Sequence, residues 1–138
     1  VTQQSLYQLT YISDATGPVT QTMLNDIATQ AKDYNAGVQI TGRLLATDKH
    51  FIQVLEGGQS EVEALMEKIS RDKRHHNLRI LSRRPIAGRE FSQWSMGVKG
   101  YLDEQEQQDM IQILNMYGAN HSYSEEQVEA LHFLIQKA

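Results

Sequence analysis

The chain has 138 residues, with 13 basic against 17 acidic side chains, a formal net charge of -4 and no cysteine. This length supports one domain with a real core, and the acidic balance argues against direct nucleic-acid binding. The lack of cysteine excludes disulfides, thiol catalysis and zinc–thiolate sites. Apolar runs are too short for a membrane span and no secretory segment opens the chain, so a cytoplasmic protein is expected.

Residues 6–13 are predicted as a first strand, with Tyr7, Leu9 and Tyr11 on one face and Gln8 and Thr10 on the other. Met23, Leu24, Ile27, Ala28 and Ala31 recur at helical spacing. They predict an amphipathic helix over 20–34, stopped by Asn35-Ala36-Gly37 with Gly37 as the terminator. Residues 42–46 and 50–56 form a hairpin around Thr47-Asp48-Lys49. Ser60 with Glu63 reads as a capping box, opening a helix whose inner face is Val62, Leu65, Met66 and Ile69. Residues 77–83 and 94–98 are the fourth and fifth strands. The order β-α-β-β-α-β-β predicts an α+β, ferredoxin-like sheet with both helices on one face. Strand 50–56 is apolar on both sides, so its other face needs cover. Met110, Ile111, Leu114 and Met116 mark one C-terminal helix. Val128, Leu131, Leu134 and Ile135 mark another, opened by Ser124 and Gln127. These two helices are expected to cap the far face, as a segment 101–138 appended to a domain 1–100.

Gln53 shares a strand face with Phe51 and Leu55. A buried amide without partners costs about 1–3 kcal/mol, and a Gln end offers both donors and an acceptor. Tyr11 closes the first strand on its helix-facing side, and the expected strand order lets the two side chains meet. Taken alone, the pair reads as a buried tyrosine satisfied by a buried glutamine. Asn35 alone reads as a helix terminator, Asp72-Lys73-Arg74-His75-His76 as a solvated turn, and Trp94-Ser95-Met96 as core. Adjacent histidines do not share a face, so no metal site is expected. There is no dinucleotide fingerprint, P-loop or nucleophile elbow.

As an ordered set these pieces resemble the BLUF family of flavin-binding blue-light sensors. The resemblance rests on Leu6-Tyr7-Gln8-Leu9-Thr10-Tyr11, Asn35, Ile40-Thr41-Gly42-Arg43-Leu44-Leu45, His50-Phe51-Ile52-Gln53-Val54-Leu55-Glu56-Gly57, Asp72-Lys73-Arg74-His75 and Trp94-Ser95-Met96. It implies a bound flavin, FAD before FMN or riboflavin. It makes Tyr11 the photochemical electron and proton donor, with Gln53 between Tyr11 and the flavin. Ile27 and Ile69 would sandwich the ring, and Asn35 would hold its polar edge. Asp72, Arg74 and His75 would lie near the ring edge and ribityl chain, with Lys32 close by. Trp94 and Met96 would couple the pocket to the sheet. Light would rearrange the Gln53 hydrogen bonds without turning over a substrate, so no enzyme is expected. The signal would leave through the C-terminal helices to a response-regulator-like or transcriptional-regulator partner, with a homo-oligomer expected. The chain departs from the family pattern at Asp33-Tyr34, at Gln39 where a glycine is common, and at Arg43. Two other classes stay open: a ferredoxin-like ligand-binding module without photochemistry, and a small flavin redox enzyme.

Overall fold

The alternating opening of the chain forms strand β1, Leu6–Ala15. The computed structural model describes residues 5–46, 49–97, 105, 108, 112 and 125–137, with backbone alone for 95–97, 127, 134 and 137. The elements that follow are α1 (Gln21–Val38), β2 (Thr41–Ala46), β3 (His50–Gly58), α2 (Gln59–Ser70), β4 (His75–Ile86), β5 (Trp94–Gly97) and a C-terminal helix α3 (Glu125–Lys137). The sheet order is β4-β1-β3-β2-β5. All neighbours are antiparallel except β2 and β5. This is the expected ferredoxin-like arrangement with a fifth strand added at the β2 edge. Met110, Ile111, Leu114 and Met116 of the predicted penultimate helix lie outside the described residues, as do Ser124, Val98 and the Gln127 side chain.

Strand alternation divides the core by face. Tyr7, Leu9, Tyr11 and Leu55 pack with Val62, Leu65 and Met66 of α2. Leu24 of α1 packs with Leu44 and Phe51. On the opposite face Ile12, Ile52 and Val54 pack with Leu131 and Ile135 of α3. Burying one such aliphatic side chain contributes about 1.5–3 kcal/mol, so α3 belongs to the core and is more than an attached tail. Gly42 makes the β2–β3 approach possible: a Cβ there would stand 1.9 Å from the Val54 carbonyl oxygen, and its φ is +155°.

Several expected boundaries move. Helix α1 continues through Asn35 and Gly37 and ends at Gln39, whose φ of 57° is left-handed. That conformation returns the Gln39 N–H to the Asn35 carbonyl, which also accepts from Ile40. A glycine takes this φ without steric cost, the physical reason for glycine being common there. The Ser60–Glu63 capping box does not form. β3 runs straight into α2, so the N-cap falls on Gly58, which has no side chain to cap with. Ser60 instead donates to Glu61, and Glu63 accepts from Tyr7 and pairs with Arg83. Strand β4 starts two residues earlier than predicted and runs to Ile86, because β1 pairs with it from Ala15↔His75 to Leu6↔Ile86.

Candidate functional site

A cavity of about 540 Å³ opens between α1 and α2 above the sheet. Its floor is Tyr11, Leu44, Phe51 and Gln53, from the three central strands. Antiparallel register places Tyr11 directly opposite Gln53. The Tyr11 hydroxyl donates to Gln53 Oε1 at 2.5 Å, with both residues buried. With Oε1 accepting from Tyr11, the Gln53 amide retains its donor end, Nε2, to offer a ligand. Burial, reinforced by the Asp72 charge, pushes the Tyr11 phenol above its ordinary value. Tyr11 therefore keeps its proton and acts as the donor.

The walls come from one stripe of each helix. Ile27, Ala31, Tyr34 and Asn35 line the α1 side, and Leu65, Lys68 and Ile69 the α2 side, at spacings of three and four residues. Lys68 sits over the Tyr34 ring at 4.4 Å and straps the two helices. Asn35 is 2% exposed, yet neither its Oδ1 nor its Nδ2 has a hydrogen-bond partner. A buried amide with all its bonds unmade costs about 1–3 kcal/mol per orphaned group. That cost marks a site shaped for a polar ligand edge.

The rim is the turn after α2. Asp72 accepts from the Arg74 backbone N–H at 2.9 Å and from Arg74 Nε at 2.9 and 3.0 Å, and also pairs with Nη2. The Arg74 guanidinium holds the Asp72 carboxyl below the usual range. Arg74 also donates to Gln30 Oε1 at 3.1 Å, tying the turn to α1. His75 Nε2 lies 2.6 Å from the Ile69 carbonyl, which can only accept, so Nε2 carries a proton. Ser13 sits 2.7 Å from Nδ1, the other ring nitrogen. The imidazole thereby joins β1, α2 and β4, and it meets the Tyr11 and Phe51 rings in T-shaped contacts.

Of the expected site residues, the structure brings Tyr11, Ile27, Asn35, Gln53, Ile69, Asp72, Arg74 and His75 to this one cavity. Lys32 is exposed and does not line it; Lys68 is the lysine that does. Its place was readable, since Leu65, Lys68 and Ile69 share one helical stripe. Trp94 is half-buried against both helix-side clusters. Met96 pairs with Leu44 by register, and its side chain lies outside the described residues. Among the described residues no cluster of metal ligands occurs, and no helix is long and apolar enough to cross a membrane.

Residues 6–97 match the family described as "BLUF: Sensors of blue-light using FAD". The beta subunit of a photoactivated adenylate cyclase from Euglena longa is 37% identical over 93 residues, covering 67% of this chain and 11% of that protein. The chain spans about a tenth of the length of the curated relatives it matches. Among solved structures, a bacterial light-regulated adenylyl cyclase superposes with a TM-score of 0.71 at 29% identity, over 84% of this chain and 34% of that one. The dark-state structure of BlrB, a BLUF protein, gives 0.68 at 28% identity over 97% of both. BLUF domains bind a flavin, and the cavity fits one on its own chemistry. It has the volume of a cofactor pocket, aliphatic walls from Ile27 and Ile69, and an unpartnered amide at Asn35. The family match covers most of the chain and every strand of the sheet: the chain belongs to the BLUF family of blue-light sensors.

Proposed function

We propose that the chain senses blue light through Tyr11 and Gln53, with residues 1–100 as the sensor and 101–138 as the output segment, and that it turns over no substrate. A bound flavin, proposed as FAD after the family description, supplies light absorption and an electron-accepting ring. Ile27 and Ile69 hold that ring between the helices. Asn35 supplies an amide edge, and Gln53 offers Nε2. Asp72, Arg74 and His75 form the remaining wall, with Lys68 in the place expected of Lys32.

The observation that carries the reading is the buried 2.5 Å bond from Tyr11 to Gln53 Oε1 at the cavity floor. It gives the amide two distinct settings. With Oε1 toward Tyr11, Nε2 presents donors to a ligand. Light-driven loss of an electron from Tyr11 to the bound ring would acidify the phenol and pass its proton to Oε1, freeing the amide to turn or tautomerise. Return of the electron and the proton to Tyr11 would then leave an acceptor where a donor had been. Trp94 and Met96 flank this change at the β2 edge.

One exchanged hydrogen bond is worth about 0.5–1.5 kcal/mol, whereas moving a population from 1:99 to 99:1 takes about 5.5 kcal/mol. Local rewiring therefore needs a bistable interface to amplify it. The interface between the sheet and α3 is the proposed amplifier, and a regulatory partner protein the proposed receiver. The photoactivated cyclases among the relatives are a precedent for an effector that answers to light.

The test is an absorption spectrum before and after blue illumination. The wild-type protein is expected to be yellow and to show a red shift that reverses in the dark. Tyr11→Phe is expected to retain the colour and lose the shift. A normal shift in Tyr11→Phe would refute the reading. Bleaching by a nicotinamide in the dark would favour a redox enzyme instead.

A further inference from the structure

On the sheet face away from the cavity, β1 is tied to the C-terminal helix by a polar contact. Thr10 Oγ1 lies 2.8 Å from His132 Nε2, with the two residues 0% and 3% exposed. Across the ring, His132 Nδ1 lies 3.4 Å from Glu90 Oε2, an ion-pair distance without hydrogen-bond geometry. A nitrogen facing a carboxylate carries the proton, since a lone pair there would be repelled. Nε2 is then the acceptor, and the Thr10 hydroxyl donates to it. Phe91 packs against the ring in a T-shaped contact, with centroids 6.1 Å apart.

Two further relationships connect this contact to the cavity. Thr10 precedes Tyr11 on β1, so one peptide bond separates a side chain on the cavity floor from a side chain on α3. At that same step the β1–β4 ladder slips, from Thr10↔Ser82 to Tyr11↔Ile80, leaving Leu81 as an extra residue. A bulge interrupts the ladder locally and re-aims the side chains beside it. Leu81 itself packs in the cluster that contains Leu131 and Ile135. Both sides of this irregular step are therefore connected to α3, Thr10 by a hydrogen bond and Leu81 through the apolar cluster it shares with Leu131 and Ile135.

We infer that the Thr10–His132 hydrogen bond is the latch through which the strand bearing Tyr11 holds the C-terminal helix and, in the light, loosens it. This inference rests on the Tyr11–Gln53 reading. It directs the signal through β1 and the far face, separately from any path through Trp94 and Met96. A hydrogen bond weakens steeply with misalignment, so a small turn of β1 at Tyr11 reduces it. Thr10 and His132 are positioning residues here, since neither faces the cavity.

The experiment is hydrogen exchange of the α3 amides in the full, flavin-loaded chain, in darkness and under blue light, with absorption recorded in parallel. In the wild-type protein, light is expected to speed α3 exchange by about 2- to 10-fold, the scale of one lost hydrogen bond. Thr10→Val should keep the red shift but exchange in darkness as fast as the lit wild type, with no further gain on illumination. Thr10→Ser should restore the light–dark difference, and His132→Phe should behave as Thr10→Val. A Thr10→Val protein that keeps the wild-type light–dark difference overturns the latch, as does a wild-type red shift with no change in α3. If the wild type shows no red shift, the photochemical reading fails first and the latch with it.

Discussion

Tyr11 and Gln53 are paired twice, once by strand register and once by a side-chain hydrogen bond of 2.5 Å. The register comes from β1 and β3 lying antiparallel side by side, and it holds the two Cα atoms opposite whatever the side chains do. The hydrogen bond can therefore be rewired without loss of the scaffold beneath it. Gln53→Leu tests this separation. The fold and the colour should persist and the light-induced shift should vanish. Stability should fall by about 1–3 kcal/mol, because the buried Tyr11 hydroxyl loses its acceptor. Denaturant titration and difference spectra measure the two effects independently.

Alkaline pH should leave the photochemistry intact over a range where free tyrosine ionises. The folded Tyr11 value is raised above its ordinary 10.0, chiefly by burial. A raised value means that the stabilising contribution of the protonated phenol is present below pH 10 and is lost as pH climbs through the folded value. The amplitude of the light-induced shift should therefore be constant between about pH 8 and pH 10. A titration that halves it near pH 10 would show an ordinary, solvated phenol.

Asn35→Leu should have opposite effects on the free and the loaded protein. Its two amide atoms are buried without partners, so removing them should stabilise the flavin-free chain by about 1–3 kcal/mol. The same change should weaken flavin binding by about 5- to 100-fold, through the loss of one or two hydrogen bonds. Melting curves without flavin and a fluorescence titration with it read the two signs.

Docking of α3 should weaken on mild acidification. Burial lowers the His132 value below its ordinary 6.5, with Glu90 opposing and Arg84 reinforcing the shift. Glu90 from the segment before β5, Arg84 from β4 and the neutral Thr10 from β1 face the ring. A lowered value means that the unfolded chain binds the proton more readily. The contribution is thus present above about pH 6.5 and lost as pH falls through the folded value. Thermal melts at pH 7.5 and pH 5.5 should differ more in the wild type than in His132→Phe. Equal slopes would remove His132 from the account.

Gln39→Gly should stabilise the protein by about 1 kcal/mol. The residue occupies the left-handed region at φ 57°, where a side chain is strained and glycine is not. Its carbonyl, which accepts from Arg89, is unchanged by the substitution. A shift in denaturation midpoint at constant slope is the expected signature.

Much of the cavity was legible because strand and helix periods are local. Period two put Tyr11 and Gln53 on the helix side, and helical spacing turned Ile27 and Ile69 inward. The errors were also local in kind. Gly37 and the Ser60–Glu63 pair carry helix-end signals, but the ends were set by neighbours, namely the Asn35 carbonyl returning to Gln39 and β3 running unbroken into α2. His75 looked like part of a charged turn, and pairing with Ala15 made it the first residue of β4.

The far face marks the boundary of what the chain determines by itself. The order of its elements pointed to a ferredoxin-like sheet, and side-chain spacing along single elements determined the two-sided core and the side of the sheet on which the cavity forms. Only the tertiary structure decided that Gln8 and Glu56 are joined at 2.7 Å across β1 and β3, and that Thr10 finds His132 from 122 positions away. Such partners share no period and no motif. They meet because α3 closes over the sheet, and burial makes an unpaired polar group beneath it costly.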